Sequence, residues 1–165
     1  MILVLMGVCG SGKTTVGKLL AQELAWPFFD ADDFHPKANV AKMASGQPLT
    51  DADRWPWLDG IAEEMQRVLA RGDHAVLACS ALKDAYRRRL QRAGDVRMVY
   101  LKGDLATIAA RLAERHHKYM PSSLLPSQFA ALEEPADALV VDIRPPIAVQ
   151  VQCIRDGFSL VTPVR

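Results

Sequence analysis

The chain begins with a short apolar run, ILVLM at residues 2–6, and the segment GVCGSGKT follows without a gap at residues 7–14. This segment matches the spacing G-x-x-x-x-G-K-[ST], which binds phosphate when a strand precedes it and a helix follows it. Its glycines allow the backbone N–H groups to turn inward and surround phosphate oxygens. The sequence therefore predicts a buried strand, a phosphate loop and a helix that begins near Lys13.

The residues of this loop have separate chemical roles. The positive end of the helix dipole attracts an anion, and the ammonium of Lys13 reaches the β- and γ-phosphates during transfer. The hydroxyl of Thr14 is placed to ligate Mg²⁺. The flanking strand and helix argue against a chance match on a glycine-rich turn. We therefore predict that a nucleoside triphosphate and Mg²⁺ bind here, through Gly7, Val8, Cys9, Gly10, Ser11, Gly12, Lys13, Thr14 and Thr15.

Composition narrows the class of protein. The chain has 165 residues and a formal net charge of +1, which fits one domain and gives no electrostatic reason to expect nucleic acid as a partner. The basic cluster at 87–89 is expected to be the solvated face of a helix. No apolar run is long enough to cross a bilayer, and no signal peptide is expected. The three cysteines lie far apart, which favours free thiols and a cytoplasmic enzyme.

Strand-like and helix-like patterns alternate along the chain, without repeats or low-complexity linkers. Such alternation predicts an α/β fold with a parallel sheet and helices on both faces, and ligands at the carboxyl ends of its strands. The helix that ends near Ala70 is expected to have Asp51 or Asp53 as its cap. Strands are predicted at 2–6, 26–29, 75–79, 96–101 and 139–141, and helices at 13–24, 36–45, 51–70, 84–93, 105–115 and 147–155.

The positions of the acidic residues distinguish between the classes of phosphate-loop protein. A guanine-reading N-K-x-D segment is missing from the sequence, and the mid-chain strand ends at Cys79-Ser80 without a carboxylate. Carboxylates follow the second strand instead, at Asp30 and Asp32. Residues that alternate along a strand share a side, so this pair is expected to share a cleft, with Asp33 pointing away. One carboxylate for Mg²⁺ and one for an acceptor hydroxyl suit a small-molecule kinase, although a turn or a cap is the alternative.

Two arginines are candidates for the nucleotide side of a kinase. Arg111 and Arg115 lie four residues apart on one predicted helix, just before the proline- and serine-rich segment 121–134. A kinase must exclude water, and this segment is typical of a mobile lid. We expect Arg111 to stack on adenine and Arg115 to hold phosphate charge in the transition state. Exposed helix arginines are the alternative.

Beyond the phosphate loop, the sequence contains a series of short motifs in a fixed order. They are Phe34-His35-Pro36, Asn39, Lys42-Met43-Ala44-Ser45-Gly46, Pro48-Leu49, Asp51, Asp53-Arg54, Pro56-Trp57-Leu58, Cys79-Ser80-Ala81-Leu82-Lys83, Tyr86-Arg87, Tyr100-Leu101-Lys102-Gly103-Asp104, Ser127-Gln128-Phe129, Leu132-Glu133 and Leu139-Val140-Val141-Asp142. In these blocks and their order, the chain resembles the gluconate kinase (gluconokinase) family of small P-loop kinases, and the resemblance covers nearly the whole chain. One departure is Cys9, at a loop position that is often serine; only the backbone matters there for phosphate.

The resemblance implies an activity and a more detailed fold. The activity is ATP-dependent phosphorylation of D-gluconate at its 6-hydroxyl, which gives 6-phospho-D-gluconate. The fold is like that of shikimate and nucleoside monophosphate kinases: a three-layer domain with five parallel strands in the order 2-3-1-4-5 and a lid at about 112–134. Family members are often homodimers. A kinase for another sugar acid or a shikimate-like acid, and a non-catalytic nucleotide-binding regulatory protein, remain alternatives.

Gluconate has a carboxylate and several hydroxyls, and the sequence offers a candidate for each. Arg54 is able to clamp the carboxylate through two parallel hydrogen bonds, and Lys83 and Arg87 are further cations. We expect Asp32 to orient the 6-hydroxyl and take its proton, and Asp30 to hold Mg²⁺. The candidates for reading the other hydroxyls are His35, Lys42 and Ser80. A turn at His35 and a solvated helix lysine at Lys42 are the alternatives.

Overall fold

A five-stranded parallel sheet forms the centre of the computed structural model, which describes residues 1–114 and 125–161. The order is β2-β3-β1-β4-β5, and every neighbouring pair is parallel. This confirms the order implied by the resemblance. The strands are β1 (Ile2–Met6), β2 (Phe28–Asp30), β3 (Ala75–Ala78), β4 (Val96–Lys102) and β5 (Leu139–Asp142).

Helices follow the strands and cover the sheet. A short 3₁₀ helix (Ala31–Phe34) comes directly after β2. The α-helices are α1 (Lys13–Leu24), α2 (Lys37–Ala44), α3 (Asp51–Ala70), α4 (Asp84–Gln91), α5 (Leu105–Glu114), α6 (Leu125–Ala131) and α7 (Ile147–Gly157).

Successive residues of β1 pack into two separate cores, one on each face of the sheet. Val4 belongs to the core formed with α3 and α4, where Leu58 is fully buried. Leu5 belongs to the core formed with α1, α5 and α7, where Leu20 is fully buried. A strand buried on both sides is apolar throughout, which explains the continuous apolar run at the start of the sequence. The three-layer prediction is confirmed.

The start of α3 differs from the prediction, because its cap is Thr50 and not Asp51 or Asp53. The Thr50 hydroxyl accepts a hydrogen bond from the Asp53 N–H at 3.2 Å, and the Asp53 carboxylate accepts one from the Thr50 N–H at 2.8 Å. This reciprocal arrangement satisfies two N–H groups at the helix start. Lys42 donates to the same carboxylate at 2.6 Å, which ties α2 to α3.

The segment predicted as a mobile lid is a packed helix over the part that the structure describes. Leu125, the first residue of α6, is only 3% exposed and belongs to the core on the α1 side of the sheet. The lid therefore stays a prediction, and α6, which belongs to its described part, is packed against that core in this structure. Residues 115–124, which include Arg115, lie outside the described part of the chain. Within the described ranges, no helix is long and apolar enough to span a bilayer.

The cap of α3 predicts how stability depends on pH. Hydrogen bonds from Lys42 and Thr50 lower the pKa of Asp53 from 3.8 to about 2, so its ionised form stabilises the folded chain above the ordinary pKa. Asp53→Asn should lower the melting temperature at neutral pH, and this deficit should shrink as the pH falls from about 4 towards 2. Thermal unfolding between pH 3 and 7 measures it.

Asp73→Asn is the matched control, since Asp73 forms an exposed ion pair with Arg71. Such pairs contribute little, so this variant should melt with the wild type at every pH. An Asp53→Asn deficit of the same size at pH 3 and pH 7 would contradict the assignment.

Candidate active site

The phosphate loop connects β1 to α1 and depends on three glycines with positive φ. Gly7, Gly10 and Gly12 have φ of +146°, +82° and +97°. A Cβ on Gly7 would lie 2.9 Å from the carbonyl oxygen of Leu101 in β4, which is too close for any other residue. The loop is therefore a concave turn of backbone, and its shape fits a bound phosphate chain.

Lys13 lies inside this turn. Its ammonium donates hydrogen bonds to the carbonyl oxygens of Gly7 and Val8, both at 3.0 Å. Burial lowers the pKa of Lys13, and the nearby carboxylates of Asp32 and Asp30 oppose that shift. The cation is thus held within the loop at the position where the motif requires it.

The two side chains predicted to hold Mg²⁺ lie next to each other. The Thr14 hydroxyl donates to one carboxylate oxygen of Asp30 at 3.2 Å. In the described ranges, no group of three or more His, Cys, Asp or Glu side chains forms a cation cage. Mg²⁺ usually takes one or two protein ligands and completes its shell with water and substrate phosphates. A hydroxyl and a carboxylate beside a phosphate loop fit that requirement.

Asp30 and Asp32 come together, but by a different geometry from the one predicted. Asp32 lies in the 3₁₀ helix and not on an extended strand, and its N–H donates to the Asp30 carboxylate at 3.1 Å. The expectation from strand alternation is therefore wrong, because Asp30 caps the helix that carries Asp32. The Asp32 side chain is 87% exposed. Even with this exposure, desolvation and then the negative charge of Asp30 raise the pKa of Asp32.

His35 and Trp57 stack on each other next to the 3₁₀ helix. The His35 ring stacks on the indole of Trp57 with centroids 4.3 Å apart, and the Trp57 N–H donates to the carbonyl oxygen of Ala31 at 2.7 Å. The side chain of His35 is 8% exposed, with Nε2 3.8 Å from the Asp32 carboxylate. Burial lowers the pKa of His35, so the ring is neutral at neutral pH. Its Nδ1 is buried without a hydrogen-bond partner among the described residues.

Two of the predicted cations meet around one carboxylate. Lys83 donates to both oxygens of Asp51, at 3.1 and 3.0 Å, and the hydroxyl of Tyr86 donates to the same carboxylate. Arg54 lies 3.8 Å from Asp51, and its guanidinium is 5.7 Å from the centre of the Tyr86 ring. The hydroxyl of Tyr86 and the ammonium of Lys83 lower the pKa of Asp51. The group of Arg54, Lys83 and Asp51 therefore has one surplus positive charge.

These cations and the phosphate loop are linked by neighbouring charges. The Nε2 atom of His35 lies 3.8 Å from the Asp32 carboxylate, and Asp32 is also close enough to Lys13 for their charges to interact. The charge of Arg54 acts on His35 in turn. Lys13, Asp32, His35 and Arg54 are therefore electrostatic neighbours. Asp51 and Tyr86 were not predicted as site residues, although both stand in the family blocks, and that position was the signal for them.

Two predicted substrate contacts have other roles in the structure. Arg87 is 3% exposed and donates to the carbonyl oxygens of Ala81 and Leu82 at 3.1 and 3.0 Å. The predictions that it binds substrate and lies on a solvated face are wrong, because it is buried beneath the β3–α4 loop. The ammonium of Lys42 is bound to Asp53, so its role here is to join α2 to α3. Ser80 lies beside the phosphate loop, where its carbonyl oxygen accepts from the Gly7 N–H at 3.3 Å.

A cleft of about 430 Å³ opens beside the phosphate loop. Arg111 lies along it and donates to the carbonyl oxygen of Ile143. Gln150 is buried behind it and donates to the carbonyl oxygens of Ile143 and Pro145 at 2.9 and 2.8 Å. The cleft has the size and position for the nucleoside part of a nucleotide whose phosphates occupy the loop. Its full lining is Ser11, Gly12, Thr15, Val16, Arg111, Glu114, Arg144, Pro145, Pro146, Ile147 and Gln150.

The parallel sheet, the phosphate loop and the carboxylates beside it define a small P-loop kinase, and comparisons with known proteins agree. Residues 9–134 match the model of the shikimate kinase family. A gluconokinase from Gluconobacter oxydans is 50% identical over 82% of this chain and 76% of that protein. The thermosensitive gluconokinase of Escherichia coli is 42% identical over 91% of this chain and 83% of that protein.

The crystal structure of a gluconokinase from Sinorhizobium meliloti superposes with a TM-score of 0.84 and 40% identity, covering 95% of this chain and 90% of that one. The chain therefore belongs to the gluconokinase family, a group of ATP-dependent kinases related to shikimate kinase. The resemblance on which the family was predicted is confirmed.

Proposed function

We propose that this protein transfers the γ-phosphoryl group of ATP to the 6-hydroxyl of D-gluconate, giving 6-phospho-D-gluconate and ADP. The observation that carries the proposal is a set of charges around the phosphate loop: Lys13 inside the loop, Asp32 near Lys13, and Arg54 and Lys83 around Asp51. We assign them as the phosphate site, the base and the anion site. The gluconokinases of similar sequence support the same acceptor.

ATP would bind with its phosphates in the loop and its base in the cleft beside Arg111. Thr14 and Asp30 would hold Mg²⁺, which neutralises phosphate charge when bound. Backbone N–H groups of the loop and the ammonium of Lys13 stabilise the charge on the transferred group. Arg115, predicted to add a second cation there, lies outside the described residues, so its role stays a prediction.

The acceptor would lie with its carboxylate on Arg54 and Lys83. Arg54 offers a fork of donors, and Lys83 adds a point charge from the β3–α4 loop. The neutral ring of His35 lies near Asp32, and Ser80 bonds to the first residue of the phosphate loop, so both are candidates for the intermediate hydroxyls. An extended sugar acid then presents its 6-hydroxyl near Asp32, at the far end from its carboxylate.

Asp32 is the proposed general base. It orients the 6-hydroxyl and accepts its proton as the oxygen attacks phosphorus, and the leaving oxygen remains on ADP. A pKa raised above that of an ordinary aspartate makes the carboxylate a stronger base. Asp30, held by Thr14 and by the N–H of Asp32, keeps that carboxylate close to the phosphate loop.

The remaining expectations concern assembly and compartment. We propose that the protein is a homodimer and acts in the cytoplasm, as the family resemblance and the dispersed cysteines indicate. Light scattering of the purified protein measures the first of these. Two other functions must be excluded by experiment. One is phosphorylation of another sugar acid, and the other is nucleotide binding without catalysis by a regulatory protein.

A coupled assay of ADP release tests the acceptor. With Mg·ATP, D-gluconate should give a large and selective response, with 6-phosphogluconate as product, compared with other sugar acids, shikimate and nucleoside monophosphates. Selectivity is expected because a site that hydrogen-bonds each hydroxyl rejects analogues that lack one. A response to a different acid would retain the kinase and overturn the acceptor. No response to any acceptor would favour the regulatory protein.

Asp32→Asn tests the general base. Loss of the proton acceptor should lower kcat by roughly 10² to 10⁴-fold while ADP binding is unchanged. For the wild type, kcat/KM should fall as the pH falls through the raised pKa of Asp32, because the protonated carboxyl accepts no proton. That acidic limb should be missing from the residual activity of the variant. Asp33→Asn is the control, and a fully active Asp32→Asn would remove Asp32 from the chemistry.

Arg54→Ala tests the carboxylate site. Losing a charged hydrogen bond of about 1.5–3 kcal/mol should raise KM for D-gluconate by roughly 10 to 100-fold. KM for ATP should change by less than about threefold, since the contacts of Arg54 are with Leu49, Asp51 and Tyr86 and not with the phosphate loop. Arg67→Ala, on the same helix but exposed and paired with Glu64, is the matched control. Equal effects on both substrates would show that Arg54 does not bind the carboxylate.

A further inference from the structure

Gln128 of α6 makes a direct contact with the phosphate loop. Its side-chain oxygen accepts a hydrogen bond from the backbone N–H of Cys9 at 2.6 Å, which joins residues 119 positions apart. The N–H groups of such a loop are the donors that surround phosphate. A side chain from another helix therefore controls one of the peptide groups on which phosphate binding depends.

Cys9 also neighbours two charged groups of the site. Its thiol is close enough to Lys13 and Asp32 for their charges to act on its pKa. Gln128 therefore holds a residue that is near both the lysine proposed to bind the phosphates and the proposed base.

The segment 125–133, which contains Gln128, also forms hydrogen bonds with the loop on the proposed acceptor side. The N–H of Glu133 donates to the carbonyl oxygen of Leu82 at 2.9 Å, and the Glu133 carboxylate accepts from the N–H of Asp84 at 2.6 Å. Leu82 and Asp84 are the two neighbours of Lys83, one of the proposed carboxylate ligands. At its other end, Leu125 is buried in the core. Residues 125–133 thus span the phosphate loop and the loop that carries Lys83.

We infer that Gln128 is a positioning residue for phosphoryl transfer, which acts by fixing the Cys9 peptide of the phosphate loop relative to the acceptor site. This inference rests on the proposed function. Transfer requires the two reacting atoms to be aligned, and a displacement of about 1 Å costs roughly 10²-fold in rate. A peptide held on one side by α6 has less freedom to turn away from that alignment. The contact therefore affects the rate of transfer more than the affinity for nucleotide.

Gln128→Met tests the inference, because methionine has a similar length and lacks the strong acceptor oxygen. We expect kcat to fall by about tenfold or more, while KM for D-gluconate and the calorimetric Kd for ADP stay within about threefold. Gln128→Glu keeps an acceptor of the same reach. It should recover much of kcat at saturating ATP, but raise KM for ATP because it brings a negative charge next to the phosphates.

Gln152→Met is the matched control, since Gln152 is exposed on α7 and, within the described part of the chain, its side chain donates to Asp156 one turn later. It should match the wild type in every measurement. The rate of basal ATP hydrolysis provides a readout without an acceptor, and we expect Gln128→Met to lower it as well. A wrong acceptor assignment would therefore not be mistaken for failure of this inference.

Two results would overturn it. If Gln128→Met binds ADP more tightly and keeps kcat, the amide oxygen competes with phosphate for the Cys9 N–H and does not position the loop. If the variant melts at a lower temperature but keeps kcat and basal hydrolysis, the contact serves stability alone.

Discussion

The active site depends on how closely the first glycine of the phosphate loop fits between two strands. The Gly7 N–H donates to the carbonyl oxygen of Ser80 after β3, and a Cβ on Gly7 would lie 2.9 Å from the carbonyl oxygen of Leu101 in β4. The loop therefore starts at the carboxyl ends of the central strands, where the sheet opens to ligands. From that point the loop turns back over Lys13, and α1 begins with its positive end towards the bound phosphates.

Asp30 connects the parts of the site that must act together. It ends β2, accepts from the Thr14 hydroxyl of the phosphate loop, and caps the 3₁₀ helix that carries Asp32. The proposed metal ligand is therefore also the residue that positions the proposed base. The two roles do not exclude each other, because they use different oxygens of the Asp30 carboxylate. One oxygen caps the helix through the Asp32 N–H, and the other lies beside the Thr14 hydroxyl, where Mg²⁺ is proposed to bind. Trp57 adds a second support, because its N–H holds the first residue of the same helix.

The sequence predicts what depends on local pattern and fails where distant contacts decide. The spacing of the phosphate loop predicted the glycine turn and the start of α1 at Lys13 correctly, because both lie within one continuous segment. Arg87 belongs to a run of arginines, and nothing in that run shows that its guanidinium is buried under the β3–α4 loop. Gln128 was visible only as part of a family block, since its contact with the loop joins distant parts of the chain.

The charges of Arg54, Lys83 and Asp51 explain how three ionic groups would suit a substrate with one carboxylate at the proposed acceptor site. Two free cations in a cleft would repel each other and attract any dianion. Asp51 holds Lys83, lies near Arg54 and is kept ionised by the hydroxyl of Tyr86. The group then has a single surplus positive charge, which one carboxylate balances. A second negative charge on the acid would face Asp51 without a partner, so the same contacts that order the cations also favour a monocarboxylate over a dicarboxylate.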